Sequence, residues 1–239
     1  MSTLPSVAEI AGQIDHAILK PELTRAEVDA DLDLAREYGI FSVCVRPSDV
    51  AHAVERLHGS PVAVGTVIGF PHGTTTTQAK VAEARQALAD GALELDMVLN
   101  IGRLRSGLVE DVEEDIRAVK QAAGDHLVKV ILETALLDDD QKAAACGAAE
   151  RAGADFVKTS TGFAGGGATL EDVRLMRASV GPRVQVKASG GVRGLDTLLE
   201  MREAGVTRFG TSATRVILDD LAARVAGGQG SGAEDSASY

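Results

Sequence analysis

The stretch Phe156-Val157-Lys158-Thr159-Ser160-Thr161-Gly162-Phe163 (FVKTSTGF) decides how the rest of the chain is read. Ala154 to Thr159 is rich in strand formers. The hydroxyl residues and glycines that follow, ending in Gly165-Gly166-Gly167, can only be loop. A lysine therefore stands at the end of a buried strand, where desolvation disfavours its charge. A lone strand lysine is ordinarily explained by its amine snorkelling from an edge. The pattern on either side of the stretch argues against that explanation here.

Working outward, the same alternation of short apolar runs and helical segments fills the chain. Before it lie IDHAIL (Ile14 to Leu19), SVCV (Ser42 to Val45), VAVGTVIGF (Val62 to Phe70), LELDMVL (Leu93 to Leu99) and LVKVILET (Leu127 to Thr134). After it lie VQVKAS (Val184 to Ser189) and TRFG (Thr207 to Gly210). Thr24 with Glu27 opens the first helix as a capping box, and Gly39 closes it. Further helices are predicted over Asp49 to Leu57, Gln78 to Ala89, Val109 to Ala123, Asp138 to Ala152, from Thr169 as a cap, over Leu195 to Ala204, and over Ser212 to Val225. Ser6 to Gln13 reads as a short lead-in. Eight strands alternating with helices predict a single α/β domain, a (β/α)8 TIM barrel over residues 1–226. An open doubly wound sheet fits less well, since no GxGxxG follows the first strand. Residues 227–239 are Gly/Ser-rich and are expected to form a flexible tail.

The 239 residues are 45% apolar, enough for a sizeable core. A net charge of −11 argues against nucleic acid and anionic membrane partners, but leaves room for a phosphorylated small molecule. Two cysteines, Cys44 and Cys146, are too few for a disulfide framework, and no basic-then-apolar leader opens the sequence. The expectation is a soluble, cytoplasmic protein.

Side-chain alternation says what faces the barrel interior. In the fourth strand Leu93, Leu95 and Met97 share one face, and Glu94, Asp96 and Val98 the other. In the fifth, Val128, Val130 and Leu132 oppose Lys129, Ile131 and Glu133; in the seventh, Val184 and Val186 oppose Gln185 and Lys187. Each strand must bury its aliphatic face under the helices, so the charged set points inward. An interior with Asp15, Asp96, Lys129, Glu133, Lys158 and Lys187 is anomalous for a fold usually filled with branched apolar residues. An ion-pair network that only fills space would add little net stability. Lys158 and Lys187 instead lie at the C-terminal ends of adjacent strands, where such barrels carry active sites. Burial and mutual repulsion lower an amine pKa, and a neutral lysine attacks carbonyls to form a Schiff base. Gly190-Gly191 after the seventh strand, Gly210 with Ser212 after the eighth, and Gly162 are candidate phosphate-binding positions.

The motifs IDHAILKPE, LELDMVLNIG, LVKVILET, FVKTSTGFAGGGAT, VQVKASGGVR and RFGTSA resemble those of the deoxyribose-phosphate aldolases, in the same order and across nearly the whole domain. The resemblance implies a class I, metal-free aldolase without a cofactor. Such an enzyme reversibly cleaves 2-deoxy-D-ribose 5-phosphate to glyceraldehyde 3-phosphate and acetaldehyde, in deoxyribonucleoside catabolism. It implies Lys158 as the Schiff-base lysine and Lys187 as its pKa-lowering neighbour. Asp96 is implied as the proton shuttle acting through a bound water, and Asp15 as part of the same polar network. A homodimer is also implied. Three positions depart from the pattern: Ala17 where Thr is frequent, Phe163 where some members carry a phosphate-reaching lysine, and Ala213 where a second serine can occur. Some members end in a tail whose terminal tyrosine assists proton transfer, and this chain ends in Tyr239.

The remaining reactive residues read as structural. His16 alternates outward from Asp15, and the other histidines lack ligand spacing. Cys44, on a strand near the mouth, is expected to be a buried, inert thiol. Two rival functions stay open from the residues alone. One is another Schiff-base lyase of the transaldolase or hexose-bisphosphate aldolase kind. The other is a phosphosugar isomerase or noncatalytic phosphate-binding barrel, for which a Glu/His pair would be more natural than paired lysines.

Overall fold

A computed structural model describes residues 4–228 and 230–235. Eight parallel strands follow one another round a closed barrel: β1 (Ile14–Ile18), β2 (Ser42–Val45), β3 (Ala63–Ile68), β4 (Glu94–Val98), β5 (Leu127–Ile131), β6 (Phe156–Lys158), β7 (Gln185–Ser189) and β8 (Arg208–Thr211). The helices are α1 (Val7–Ala11), α2 (Arg25–Tyr38), α3 (Val50–Arg56), α4 (Thr77–Ala89), α5 (Ile101–Arg105), α6 (Val109–Ala123), α7 (Asp139–Arg151), α8 (Leu170–Ala178), α9 (Leu195–Glu203) and α10 (Thr214–Val225). This is the (β/α)8 barrel expected from the alternation of segments.

Local signals explain most boundaries. Thr24 and Glu27 make the reciprocal capping box that starts α2, and Gly39 ends it with φ 58°, a left-handed conformation that costs glycine nothing. Differences from the expected map have physical causes. The lead-in is itself a helix, α1, because Ser6 and Glu9 form a second capping box. The short helix α5 was not foreseen, although Asn100 caps it by accepting from Arg103 N at 3.1 Å. β5 ends at Ile131 rather than Thr134, since Glu133 turns left-handed at φ 60° and the chain leaves the sheet in a 3-10 turn over Thr134–Leu136. β8 runs on to Thr211, one residue beyond the expected end at Gly210. Of the tail expected from composition, residues 230–235 run back along α10. Ser231 N donates to Asp220 Oδ1 at 2.5 Å, and Asp235 N donates to the Arg193 carbonyl at 3.0 Å.

Leu95, Met97, Val128, Val130, Val157 and Val186 all face outward, fully buried against Leu32, Val112, Ile116, Met176 and Leu198 of the helices. Burying each such side chain stabilises the fold by roughly 1.5–3 kcal/mol relative to exposing it. Register and alternation then stack the inward residues in rings of four from alternate strands, as this architecture requires. From the N-terminal floor upward the rings are Ser42, Glu94, Phe156 and Arg208; Asp15, Gly65, Lys129 and Lys187; Cys44, Asp96, Lys158 and Gly210; and Ala17, Val67, Ile131 and Ser189. The three lower rings each carry charged residues, so the large apolar core lies between sheet and helices, with a small second cluster of Ala17, Leu19, Cys44 and Val67 at the mouth.

Candidate active site

Lys158 closes the short strand β6, directly beside Lys187 of β7 in the sheet register. Both nitrogens donate to the same acceptor, Asp96 Oδ2, at 2.8 Å each. They therefore lie within about 6 Å of one another, the range in which a like charge disfavours protonation. Lys187 Nζ also donates to Asp15 Oδ2 at 2.5 Å. Lys129 Nζ donates to Asp96 Oδ1 at 2.8 Å and to Glu94 Oε2 at 2.6 Å. At the floor, Arg208 donates to Asp15 Oδ1 at 2.5 Å and to Glu94 Oε1 at 2.9 Å, while Ser42 Oγ donates to Asp15 Oδ1 at 2.6 Å. Lys158, Lys187, Asp96 and Asp15, all predicted for the site, are thus one connected network.

The network separates the two lysines chemically. Lys158 is 3% exposed and is held below the ordinary amine range, first by burial and then by the Lys187 charge, against the pull of Asp96. Burial also opposes charge on Lys187, but Asp15 and Asp96 outweigh it and push its pKa up. Lys129 is raised in the same way, by Asp96, Asp15 and Glu94 against burial. Asp96 stays far below the usual carboxylate range because Lys129, Lys158 and Lys187 overcome the cost of burying it. Two adjacent lysines are thereby driven in opposite directions, which is the usual signature of an acid and a nucleophile sharing one site.

Around this network the mouth has two kinds of wall. On the β1–β3 side, Leu19, Pro21, Arg46, Val67, Phe70 and Phe163 line a cavity of about 280 Å³. Phe163 meets Phe70 edge to face with ring centroids 5.3 Å apart. Ala17 and Cys44 pack beneath with Leu19 and Val67. Burial pushes the Cys44 thiol up to about 11, so it is protonated and unreactive near neutral pH. On the β7–β8 side the wall is backbone. Gly190 and Gly191 are both left-handed, at φ 78° and 77°, and Gly162 is at φ 87°. A Cβ on Gly167 would stand 2.5 Å from the Gly190 carbonyl oxygen, so the loops after β6 and β7 touch through glycine alone. Helices α9 and α10, which follow these loops, begin without a side-chain cap.

Other sequence-predicted residues fall as follows. Ser212 sits between β8 and α10, beside these helix starts. Gly210 stands next to the end of β8, where a Cβ would lie 2.8 Å from Ser189 Cβ and 3.1 Å from Lys187 Cε, so any side chain there would crowd the lysine. Glu133 is buried but reaches the loop after β6, where its carboxylate accepts from the Thr161 hydroxyl and amide. His16 faces outward, its Nδ1 2.8 Å from Thr214 Oγ1. Tyr239 lies outside the described residues. Arg208 and Ser42 were not foreseen. Arg208 is one charge at the start of a four-residue strand, too short for alternation to declare its face, and a lone serine carries no signal at all.

Comparison with known proteins agrees with this geometry. The chain is 55% identical over 208 residues to the deoxyribose-phosphate aldolase of Staphylococcus haemolyticus, covering 87% of this chain and 94% of the relative. It is 57% identical over 200 residues to the deoxyribose-phosphate aldolase of Brevibacillus brevis, covering 84% and 90%. The tetrameric deoxyribose phosphate aldolase of Aeropyrum pernix superposes with a TM-score of 0.83 at 31% identity, over 92% of this chain and 94% of that one. The model of the DeoC/LacD family of aldolases matches residues 10–218, and the chain belongs to that family.

Proposed function

We propose that this chain is a class I aldolase that reversibly cleaves 2-deoxy-D-ribose 5-phosphate to D-glyceraldehyde 3-phosphate and acetaldehyde. The observation that carries the reading is one carboxylate oxygen, Asp96 Oδ2, held by two lysines of which only Lys158 is driven toward its neutral form. The names of the closely similar relatives support the substrate.

The neutral Lys158 amine adds to the substrate aldehyde, and loss of water gives an iminium. Lys187, held charged, supplies the proton that lets the hydroxyl leave as water, and Asp96 passes protons between the groups through a bound water. The bound water at Asp96 then takes the proton of the 3-hydroxyl and passes it to the Lys187 amine, which recovers the proton it gave up. The C2–C3 bond breaks, its electron pair becomes the C1=C2 double bond of an enamine as the C=N π pair moves onto nitrogen, and glyceraldehyde 3-phosphate departs. The remaining enamine is protonated at carbon and water hydrolyses it, releasing acetaldehyde and the free amine. Asp15 holds Lys187 in place throughout. Tyr239 is proposed to assist the carbon protonation, and a chain lacking it should exchange the enamine proton more slowly while still forming the Schiff base.

The phosphate is proposed to rest on the amides of Gly162, Gly190 and Gly191, with Ser212 and the uncapped starts of α9 and α10 favouring negative charge. Arg193 Nε, buried without a hydrogen-bond partner among the described protein atoms, lies next to these loops. A cytoplasmic homodimer completes the reading; gel filtration tests the dimer. No described helix is long and apolar enough to cross a membrane.

Borohydride reduction in the presence of substrate tests the chemistry. A stable adduct on the peptide carrying Lys158 is expected, together with released acetaldehyde. An adduct elsewhere, or none, would favour the isomerase or binding-protein alternatives.

A further inference from the structure

The charges inside the barrel can be counted. Among the described residues, three interior carboxylates, Asp15, Glu94 and Asp96, are in contact ion pairs with Lys129, Lys158, Lys187 and Arg208. Leaving Lys158 aside, three cations meet three anions. The set is neutral when Lys158 carries no proton and holds one surplus positive charge when it does. An unmatched charge in a buried, low-dielectric space is strongly disfavoured. The two other titratable groups that bear on Lys158 do not enter this chain of contacts. Cys44, from β2, is a protonated thiol near pH 7, and Glu133, after β5, is occupied by Thr161.

The outermost member of the count is Arg208. Its guanidinium spans two acceptors, Asp15 Oδ1 and Glu94 Oε1, and stacks with Cζ 3.6 Å from the centroid of Phe41 and 5.6 Å from that of Phe156. Both aromatic residues mark the N-terminal ends of their strands, so Arg208 seals the floor, opposite the substrate mouth. A planar fork with two donors in line suits this place, whereas an ammonium would satisfy one carboxylate at a time. Other charged groups facing it from the barrel interior are Lys129, paired with both Asp15 and Glu94, and Lys187, paired with Asp15.

We infer that Arg208 is a positioning residue for the aldol reaction: as the third compensating cation, it leaves Lys158 as the one interior amine without a carboxylate of its own. The inference rests on the reading of Lys158 as the Schiff-base lysine. It also predicts a counterpart, because Glu94 at the same floor acts with the opposite sign. Removing the Arg208 charge leaves an excess carboxylate and draws a proton to Lys158. Removing the Glu94 charge drives the proton away.

The test is the pH profile of borohydride trapping with acetaldehyde as probe, on the wild type, Arg208→Met, Arg208→Lys, Glu94→Gln and the double variant Glu94→Gln/Arg208→Met. The midpoint is expected to rise by about one pH unit in Arg208→Met, equivalent to about tenfold slower trapping at pH 7. It is expected to fall in Glu94→Gln, and to return toward the wild-type value in Arg208→Lys and in the double variant. Shifts of the two single variants in the same direction, or no shift in proteins that remain folded, would overturn the inference alone. Should Arg208→Met fail to fold, the direction of the Glu94→Gln shift decides. If the wild type forms no Lys158 adduct at any pH, the aldolase reading falls, and this inference with it.

Discussion

A single carboxylate oxygen, Asp96 Oδ2, accepts hydrogen bonds from Lys158 and Lys187 at equal distance, yet the two amines are pushed in opposite directions because only Lys187 has Asp15 as well. Trapping by borohydride should therefore rise with pH, with its midpoint below the ordinary lysine value of 10.5. Lys187→Met removes the charge that helps hold Lys158 neutral and leaves Asp15 and Asp96 short of a partner. We predict that it lowers kcat by at least about 100-fold, the usual scale for losing a positioned proton donor, and raises the trapping midpoint. Gly210→Ala presses a methyl against Lys187 Cε and Ser189 Cβ. We predict a fall in kcat of about tenfold with KM little changed, since it disturbs chemistry rather than phosphate binding; steady-state kinetics separates the two. At this scale the sequence was informative where charges alternate with aliphatics along one strand, as at Asp96 and Lys129. It was silent on Arg208, which belongs to a strand too short for a period.

Helices α2, α4, α7 and α8 begin on Thr24, Thr76, Asp138 and Thr169, each accepting from a backbone amide of its own first turn. The caps at Thr24 and Thr169 were legible because their chemistry is local. Replacing Thr24 by Ala should cost about 1 kcal/mol of stability, read from the urea midpoint, with catalysis unaffected. The strand ends were less legible, because where β5 stops depends on Glu133 reaching Thr161, a contact across strands that no window of sequence contains. Glu133 is the only non-glycine residue with positive φ among the described residues, and its carboxyl is raised by burial. Positive φ in a non-glycine residue is often tolerated where it serves a site. Here it lets Glu133 order the loop that follows Lys158.

The whole molecule was legible as a count of repeated strand–helix units, but closure was not encoded in any one of them. Closure is what forces eight inward faces into one narrow space and turns scattered charges into a network. That network links folding to pH. Asp15 and Asp96 titrate well below 3.8 in the fold, so their ionised forms stabilise it fully above the unfolded value and progressively less as pH falls through the folded values. Urea unfolding is predicted to show a midpoint that declines as the pH is lowered through and below about 4. An unchanged midpoint down to pH 3 would mean that these carboxylates are not coupled to folding.

The ringed interior also works as a registry lock. If any of β1, β4, β5 or β7 slid by one residue against its neighbours, its ions would swing into the oily layer beneath the helices and valines would meet the ions left behind. Misaligned barrels are thus penalised by the very groups proposed to do the chemistry, and a sequence that must keep its catalyst acquires a guard against mispairing along with it.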